Sequence, residues 1–120
     1  RVALNVKDSK VPDNIGCHPI DEVIIRNGKE AYFSTLPLRT IEEKLKEKHI
    51  PVMISNTAGL YVCNNIMYHV LNYIDQSKLN IKAGFIHVPF MDESKPNNEV
   101  FSLPLDVIVE AVIDIIKTVL

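Results

Sequence analysis

This sequence lacks the features that mark nucleic-acid-binding, membrane-spanning or disulfide-rich proteins. Its 120 residues include no Trp, only two Cys and four Gly, and 13 basic residues face 15 acidic ones for a net charge of −2. No Lys/Arg run exceeds a couple of neighbours, so no phosphate-binding face is expected. Glu110, Asp114 and Lys117 interrupt the apolar C-terminal segment, which excludes a membrane span there. We therefore predict neither a nucleic-acid nor a membrane partner.

The two cysteines give no sign of a metal site. Cys17 and Cys63 lie far apart and in no CxxC spacing, and the adjacent Cys17-His18 pair has no second pair to complete a zinc site. The sequence opens at Arg1 without an initiator Met and without the basic and apolar regions of a secretory leader. We therefore expect residues upstream of Arg1, reduced thiols and a cytoplasmic location.

Strand-like and helix-like segments alternate along the chain. The predicted elements are a strand at 2–6, a small strand at 22–26 within a long loop at 8–28, a helix from Thr40 to about His49, a strand at 51–55, a helix from Tyr61 to Gln76, a strand at 83–90 and a helix from about Pro104. This order predicts an α/β fold, an open and mainly parallel twisted sheet with helices on its faces in an α/β/α arrangement.

Two residues capable of thiol chemistry fall where ligands bind in such folds, at the carboxyl ends of parallel strands. Cys63 follows the strand 51–55 and lies in the first turn of the next helix, and His87 lies near the end of the strand 83–90. The positive end of a helix stabilises a thiolate, and its N–H groups suit a developing oxyanion. A neighbouring imidazole completes a nucleophile–base pair.

The same pattern is also typical of two structural residues. Cys63 continues a core-facing apolar stripe with Met67, Leu71 and Ile74, alongside Val62, Ile66 and Val70. The residues alone therefore leave open a thiol enzyme and a non-catalytic α/β binding or interaction domain in which Cys63 and His87 only pack. A nucleotide-binding domain is disfavoured because no GxGxxG or GxxxxGK[ST] loop follows a strand.

Several segments, in one order along the chain, resemble the pyroglutamyl peptidase I family. The Cys63 segment reads Ser-Asn-Thr-Ala-Gly-Leu-Tyr-Val-Cys-Asn and the His87 segment reads Gly-Phe-Ile-His-Val-Pro, and the segments 2–6, 11–14, 19–22 and 31–37 also fit. The resemblance implies that residues 1–120 are the C-terminal part of a single α/β peptidase domain. The activity implied is that of a cysteine exopeptidase, without metal or cofactor, that removes N-terminal pyroglutamyl residues from peptides.

The resemblance also implies roles for individual residues. Cys63 is the nucleophile, and His87 takes its proton and returns one to the leaving amine. The family's third catalytic residue, a glutamate, would directly precede Arg1, so this chain alone is expected to be a weak catalyst. Lys10 stands where the family has an arginine assigned to the oxyanion hole, and it keeps the charge without the planar fork. In the last helix, apolar residues at 105, 108, 109, 112, 115, 116 and 119 predict a core-facing stripe that also suits a subunit interface, and a homo-oligomer is expected.

Overall fold

The computed structural model describes all residues from Arg1 to Leu120 and contains three helices and two small sheets. Strands β1 and β2 pair antiparallel, with Ala3 opposite Tyr32, while β3 and β4 pair parallel. The α/β class predicted from the sequence is confirmed. The elements are β1 Val2–Leu4, β2 Ala31–Phe33, α1 Leu38–Glu47, α2 Val62–Gln76, β3 Phe90–Met91, β4 Ser102–Leu103 and α3 Leu105–Val119.

The helices lie where the sequence predicted them, with small shifts at their ends. Helix α1 begins at Leu38, before the predicted cap Thr40, because Ile41 N already donates to Pro37 O. It ends before His49, whose left-handed backbone (φ 58°) cannot continue a helix. Helix α3 begins directly after Pro104, a residue that fits a helix start because its missing N–H needs no partner there.

The strand predictions were less accurate. Residues 51–55 form no strand. Of the segment 83–90 only Phe90 lies in a strand, and the segment 22–26 contributes a single bridge between Glu22 and Lys7. The strand Ala31–Phe33 was not predicted. An apolar run favours a strand, but a strand forms only where a neighbouring backbone accepts and donates the ladder hydrogen bonds.

The chain divides into two compact units, and the single domain inferred from the sequence stays a prediction. Unit 1 comprises residues 1–36 and 55–85, and unit 2 comprises residues 37–54 and 86–120. In unit 1, α2 packs on β1 and β2. The core of unit 1 contains Ala3, Tyr32, Met67, Tyr68 and Leu71.

In unit 2, α1 packs against α3 around five buried apolar side chains. Between the two helices, Lys48 Nζ lies 2.9 Å from Glu110 Oε1 and 2.7 Å from Asp114 Oδ2. No helix in residues 1–120 combines the length and apolar character needed to cross a bilayer. The buried apolar residues are Ile41, Leu45, Ile50, Ile108 and Ile115.

The faces that the helices bury differ from the predicted stripes. Helix α2 buries Asn64, Met67, Tyr68 and Leu71, so the prediction that Val62, Ile66 and Val70 face the core was wrong. A period of 3.6 residues identifies an apolar face, but α2 has apolar side chains on two sides and packing selects one of them. Helix α3 buries Ile108 and Ile115, and part of its apolar stripe is exposed, namely Leu105, Val109, Val112 and Ile116.

Candidate active site

The loop from Ser55 to Tyr61 determines where α2 begins. Short side-chain bonds shape it: Ser55 Oγ donates to Thr57 O (2.8 Å), and Thr57 Oγ1 accepts from Gly59 N (2.9 Å). Gly59 has φ +77°, a conformation that strains any residue with a Cβ. No atom lies within 4 Å of the position a Cβ would take, so the backbone angle alone requires glycine here.

Cys63 is the second residue of α2, is partly buried and forms no disulfide. The first backbone bond of the helix runs from Asn65 N to Tyr61 O, and Tyr61 makes no side-chain capping bond. The positive end of the helix dipole therefore lies at Cys63, as the sequence predicted.

Asn64 joins this helix start to the end of β1 by hydrogen bonds. Its side chain is 1% exposed. Its Nδ2 donates to Leu4 O (2.9 Å) and Val6 O (3.1 Å), while its Oδ1 accepts from Leu4 N (2.9 Å). Next to it, Asp8 N donates to Leu60 O (2.9 Å). The start of α2 is thus bonded to the end of β1 and to the backbone after it, and the loop before α2 is bonded to that same backbone.

The sequence analysis assigned Asn64 no role. It lies at helical spacing from Tyr68 and Leu71 on the buried face of α2. A buried amide needs hydrogen-bond partners, because burying it without them costs free energy. An asparagine in phase with apolar residues was therefore the pattern that indicated a specific contact.

Lys10 is exposed in the long loop after β1. The loop closes on itself, since Ser9 N donates to Pro19 O (3.0 Å) and the His18 ring Nε2 lies 2.8 Å from Ser9 O. Lys10 is two residues beyond Asp8, whose backbone bonds Leu60 beside the start of α2.

The tip of the same loop lies near Tyr61. Asp13 Oδ1 accepts from Ile15 N and from Cys17 N, which makes a tight turn. Desolvation, followed by electrostatic interactions with Asp13 and Cys17, raises the pKa of Tyr61. Among residues 1–120 no three His, Cys, Asp or Glu side chains are grouped as metal ligands.

His87 is exposed and belongs to unit 2, whereas Cys63 belongs to unit 1, so their pairing stays a prediction. An exposed imidazole does not fit the alternative of a core histidine. The segment that leads to it is fixed within unit 1, where Phe85 packs against the core. A Cβ on Gly84 would collide with the side chains of Ser34 and Leu36, so this close approach requires glycine.

The sequence model of the pyroglutamyl peptidase family matches residues 1–120. This chain belongs to the pyroglutamyl peptidase family. The family resemblance inferred from the Cys63 and His87 segments is therefore confirmed.

Two curated relatives show how far the similarity extends. The chain is 50% identical over 121 residues to the pyrrolidone-carboxylate peptidase of Brachyspira hyodysenteriae, covering 98% of this chain and 59% of that protein. It is 53% identical over 106 residues to pyrrolidone-carboxylate peptidase 2 of Caldanaerobacter subterraneus subsp. tengcongensis, covering 86% of this chain and 52% of that protein. This chain thus spans little more than half the length of these relatives.

Solved structures of the family share the fold. The pyroglutamyl peptidase I of Bacillus amyloliquefaciens superposes with a TM-score of 0.93 at 37% identity, covering 99% of this chain and 58% of that one. The pyrrolidone carboxyl peptidase of Pyrococcus furiosus gives a TM-score of 0.93 at 38% identity, covering 99% of this chain and 60% of that one. The α/β architecture is therefore that of the pyroglutamyl peptidases.

Proposed function

We propose that this chain is the C-terminal part of a single α/β domain of a cysteine exopeptidase that releases pyroglutamate from the N-termini of peptides. The observation that carries the proposal is the family match over residues 1–120, with Cys63 at the start of α2. The relatives are longer than this chain. The complete activity is therefore assigned to a protein in which the N-terminal part of a curated relative is joined ahead of Arg1, here termed the complemented protein.

In this mechanism Cys63 and His87 act as nucleophile and general base. Cys63 Sγ attacks the exocyclic carbonyl carbon of the pyroglutamyl residue as the thiol proton passes to His87. The carbon–nitrogen bond of the tetrahedral intermediate breaks, and His87 gives its proton to the leaving amine. Water then attacks the thioester with His87 as base, which releases pyroglutamate and restores the thiol.

Lys10 is proposed to stabilise the oxyanion of the tetrahedral intermediate. A positive charge aimed at a developing oxyanion lowers the barrier, and an ammonium group acts there as a point charge. The backbone bond from Asp8 to Leu60 supports this role, because it holds the chain just before Lys10 against the loop that leads to Cys63.

The glutamate expected ahead of Arg1 is proposed to orient His87. Arg1 N donates to Ser55 O (2.8 Å), so a residue joined to Arg1 by a peptide bond starts beside the loop that leads to α2. A third residue of this kind holds the imidazole in the correct orientation, as in triads generally.

The test is hydrolysis of a pyroglutamyl amide by the complemented protein and by its Cys63→Ser variant. We expect turnover that the variant loses, because serine keeps the shape of the side chain but offers a far less acidic group. Binding of a pyroglutamyl peptide without turnover would instead support the non-catalytic binding domain. A prolyl amide serves as control substrate, since it has the ring without the lactam carbonyl.

The remaining assignments concern location and assembly. We propose a cytoplasmic peptidase that acts on peptide substrates and binds neither nucleic acid nor membranes. A homo-oligomer is proposed because four apolar side chains of the predicted α3 stripe are exposed, and a second copy would cover them. Sedimentation velocity of the complemented protein and of its Val109→Glu variant tests the oligomer, which the added charge should dissociate. The four side chains are Leu105, Val109, Val112 and Ile116.

A further inference from the structure

Asn64 is the most buried polar side chain of the protein, and it directly follows the proposed nucleophile. Three of the four hydrogen bonds that an amide can make are formed, all to the backbone of Leu4 and Val6. All three bonds lie between 2.9 and 3.1 Å, so this polar group is well satisfied in a buried place.

The geometry of these bonds restricts how α2 can move. Nδ2 and Oδ1 of Asn64 bond the carbonyl and the N–H of the same residue, Leu4, much as a neighbouring strand would. The third bond, to Val6 O, lies two residues further along the chain. Such a contact resists sliding along β1 and rotation of α2, whereas the non-directional apolar packing of Met67 and Leu71 tolerates small shifts.

A small displacement of the nucleophile is costly in catalysis. Misplacement of a reacting group by about 1 Å reduces the rate about 10²-fold. Cys63 is adjacent to Asn64 in the first helical turn, so a shift of Asn64 relative to β1 moves the Cys63 backbone with it.

We propose that Asn64 is a positioning residue for Cys63, holding the start of α2 at a fixed place on β1 so that the thiol meets the substrate carbonyl. The inference rests on the proposed role of Cys63 as nucleophile and adds a residue to that mechanism. Asn64 itself touches neither substrate nor reacting atoms, and it acts through the backbone it shares with Cys63.

Asn72 provides a matched control on the same helix. Its Oδ1 accepts a bond from Tyr32 Oη (3.0 Å), so it also joins α2 to the sheet of unit 1. It lies eight residues beyond Asn64, about 12 Å along a helix at 1.5 Å per residue. Asn72→Ala therefore removes a helix–sheet bond far from Cys63.

The experiment compares Asn64→Ala and Asn72→Ala in the complemented protein. For Asn64→Ala we expect kcat on a pyroglutamyl amide to fall about 10²-fold with KM nearly unchanged, because the nucleophile is displaced while the substrate pocket remains. The rate of Cys63 alkylation by iodoacetamide, measured at several pH values, should differ between Asn64→Ala and the parent. Asn72→Ala should lower the melting temperature and leave both readouts at parental values.

Parental kcat and a parental alkylation profile in Asn64→Ala, with only stability lost, would overturn the inference. Should Asn64→Ala not fold, Asn64→Asp is measured instead, since it keeps the shape and the acceptor for Leu4 N but loses the two donors. A parent without pyroglutamyl turnover overturns the proposed function, and the alkylation profiles then decide the inference on Asn64 by themselves.

Discussion

The buried amide of Asn64 bonds both the N–H and the carbonyl of Leu4, each at 2.9 Å. This pair joins the helix that carries Cys63 to the strand that begins next to Arg1. The position of the proposed nucleophile therefore depends on contacts with the end of β1. Mutations at these contacts test the positioning of Cys63 separately from the stability of the rest of the protein.

Cys63, and not Cys17, should react first with a low dose of iodoacetamide at neutral pH. Access alone predicts the reverse, since Cys17 is exposed and Cys63 is partly buried. Cys63, unlike Cys17, lies at a helix start, which is a typical position for a reactive thiol. Peptide mapping by mass spectrometry measures the result, and preferential labelling of Cys17 would count against Cys63 as nucleophile.

The 120-residue chain by itself should hydrolyse a pyroglutamyl amide poorly, and the complemented protein should hydrolyse it well. The reason is the proposal that the orienting glutamate and much of the pocket for the pyroglutamyl ring lie ahead of Arg1. Initial rates of both proteins at equal concentration measure the difference. Full activity of the chain alone would show that the missing acid was wrongly assigned.

The losses of turnover caused by replacing Cys63 and by replacing His87 should not be additive. A nucleophile and its base act as one unit, and general-base help is typically worth about 10² to 10⁴ in rate. We expect Cys63→Ser, His87→Ala and the double variant of the complemented protein each to lose nearly all turnover, with little change in melting temperature. Parental turnover in His87→Ala would exclude His87 as the base.

Gly59→Ala should destabilise the protein by about 1–2 kcal/mol, because alanine at φ +77° is strained. Gly16 is a matched control, with φ +83° and likewise no atom within 4 Å of a Cβ. Urea unfolding should show a similar loss of stability for both alanine variants, and only Gly59→Ala should alter Cys63 alkylation. Equal alkylation in both variants would mean that the turn at Gly59 does not position Cys63.

Asp75 should make the stability of the folded protein depend on pH in the acid range. The hydrogen bond from Lys29, 2.7 Å from Asp75 Oδ2, lowers the pKa of Asp75 below its ordinary value of 3.8. A carboxylate with a depressed folded-state pKa stabilises the fold above the unfolded pKa, and this contribution is lost as the pH falls through the folded pKa. Asp75→Asn should therefore lower the melting temperature at pH 7, and the difference from the parent should shrink as the pH falls below 3.8. A constant difference at all pH values would contradict this linkage.

The sequence by itself determined the three helices, the α/β class and the family. Helices depend on bonds between residues four positions apart, so Pro104 and the apolar period were enough to place α1, α2 and α3 within about two residues. Cys63 was placed in the first helical turn for the same local reason. Family membership was recognisable because several motifs occur in one order along the chain.

Only the tertiary structure decided which segments pair and which faces are buried. Residues 51–55 are apolar yet form no strand, and Ala31–Phe33 became a strand because β1 lies beside it. The partner of a strand is distant in sequence, and a local pattern does not encode it. The burial of Asn64 against Leu4 is of the same kind, since its partners lie 58 to 60 positions away. Non-local contacts of this sort exist only once the chain has folded.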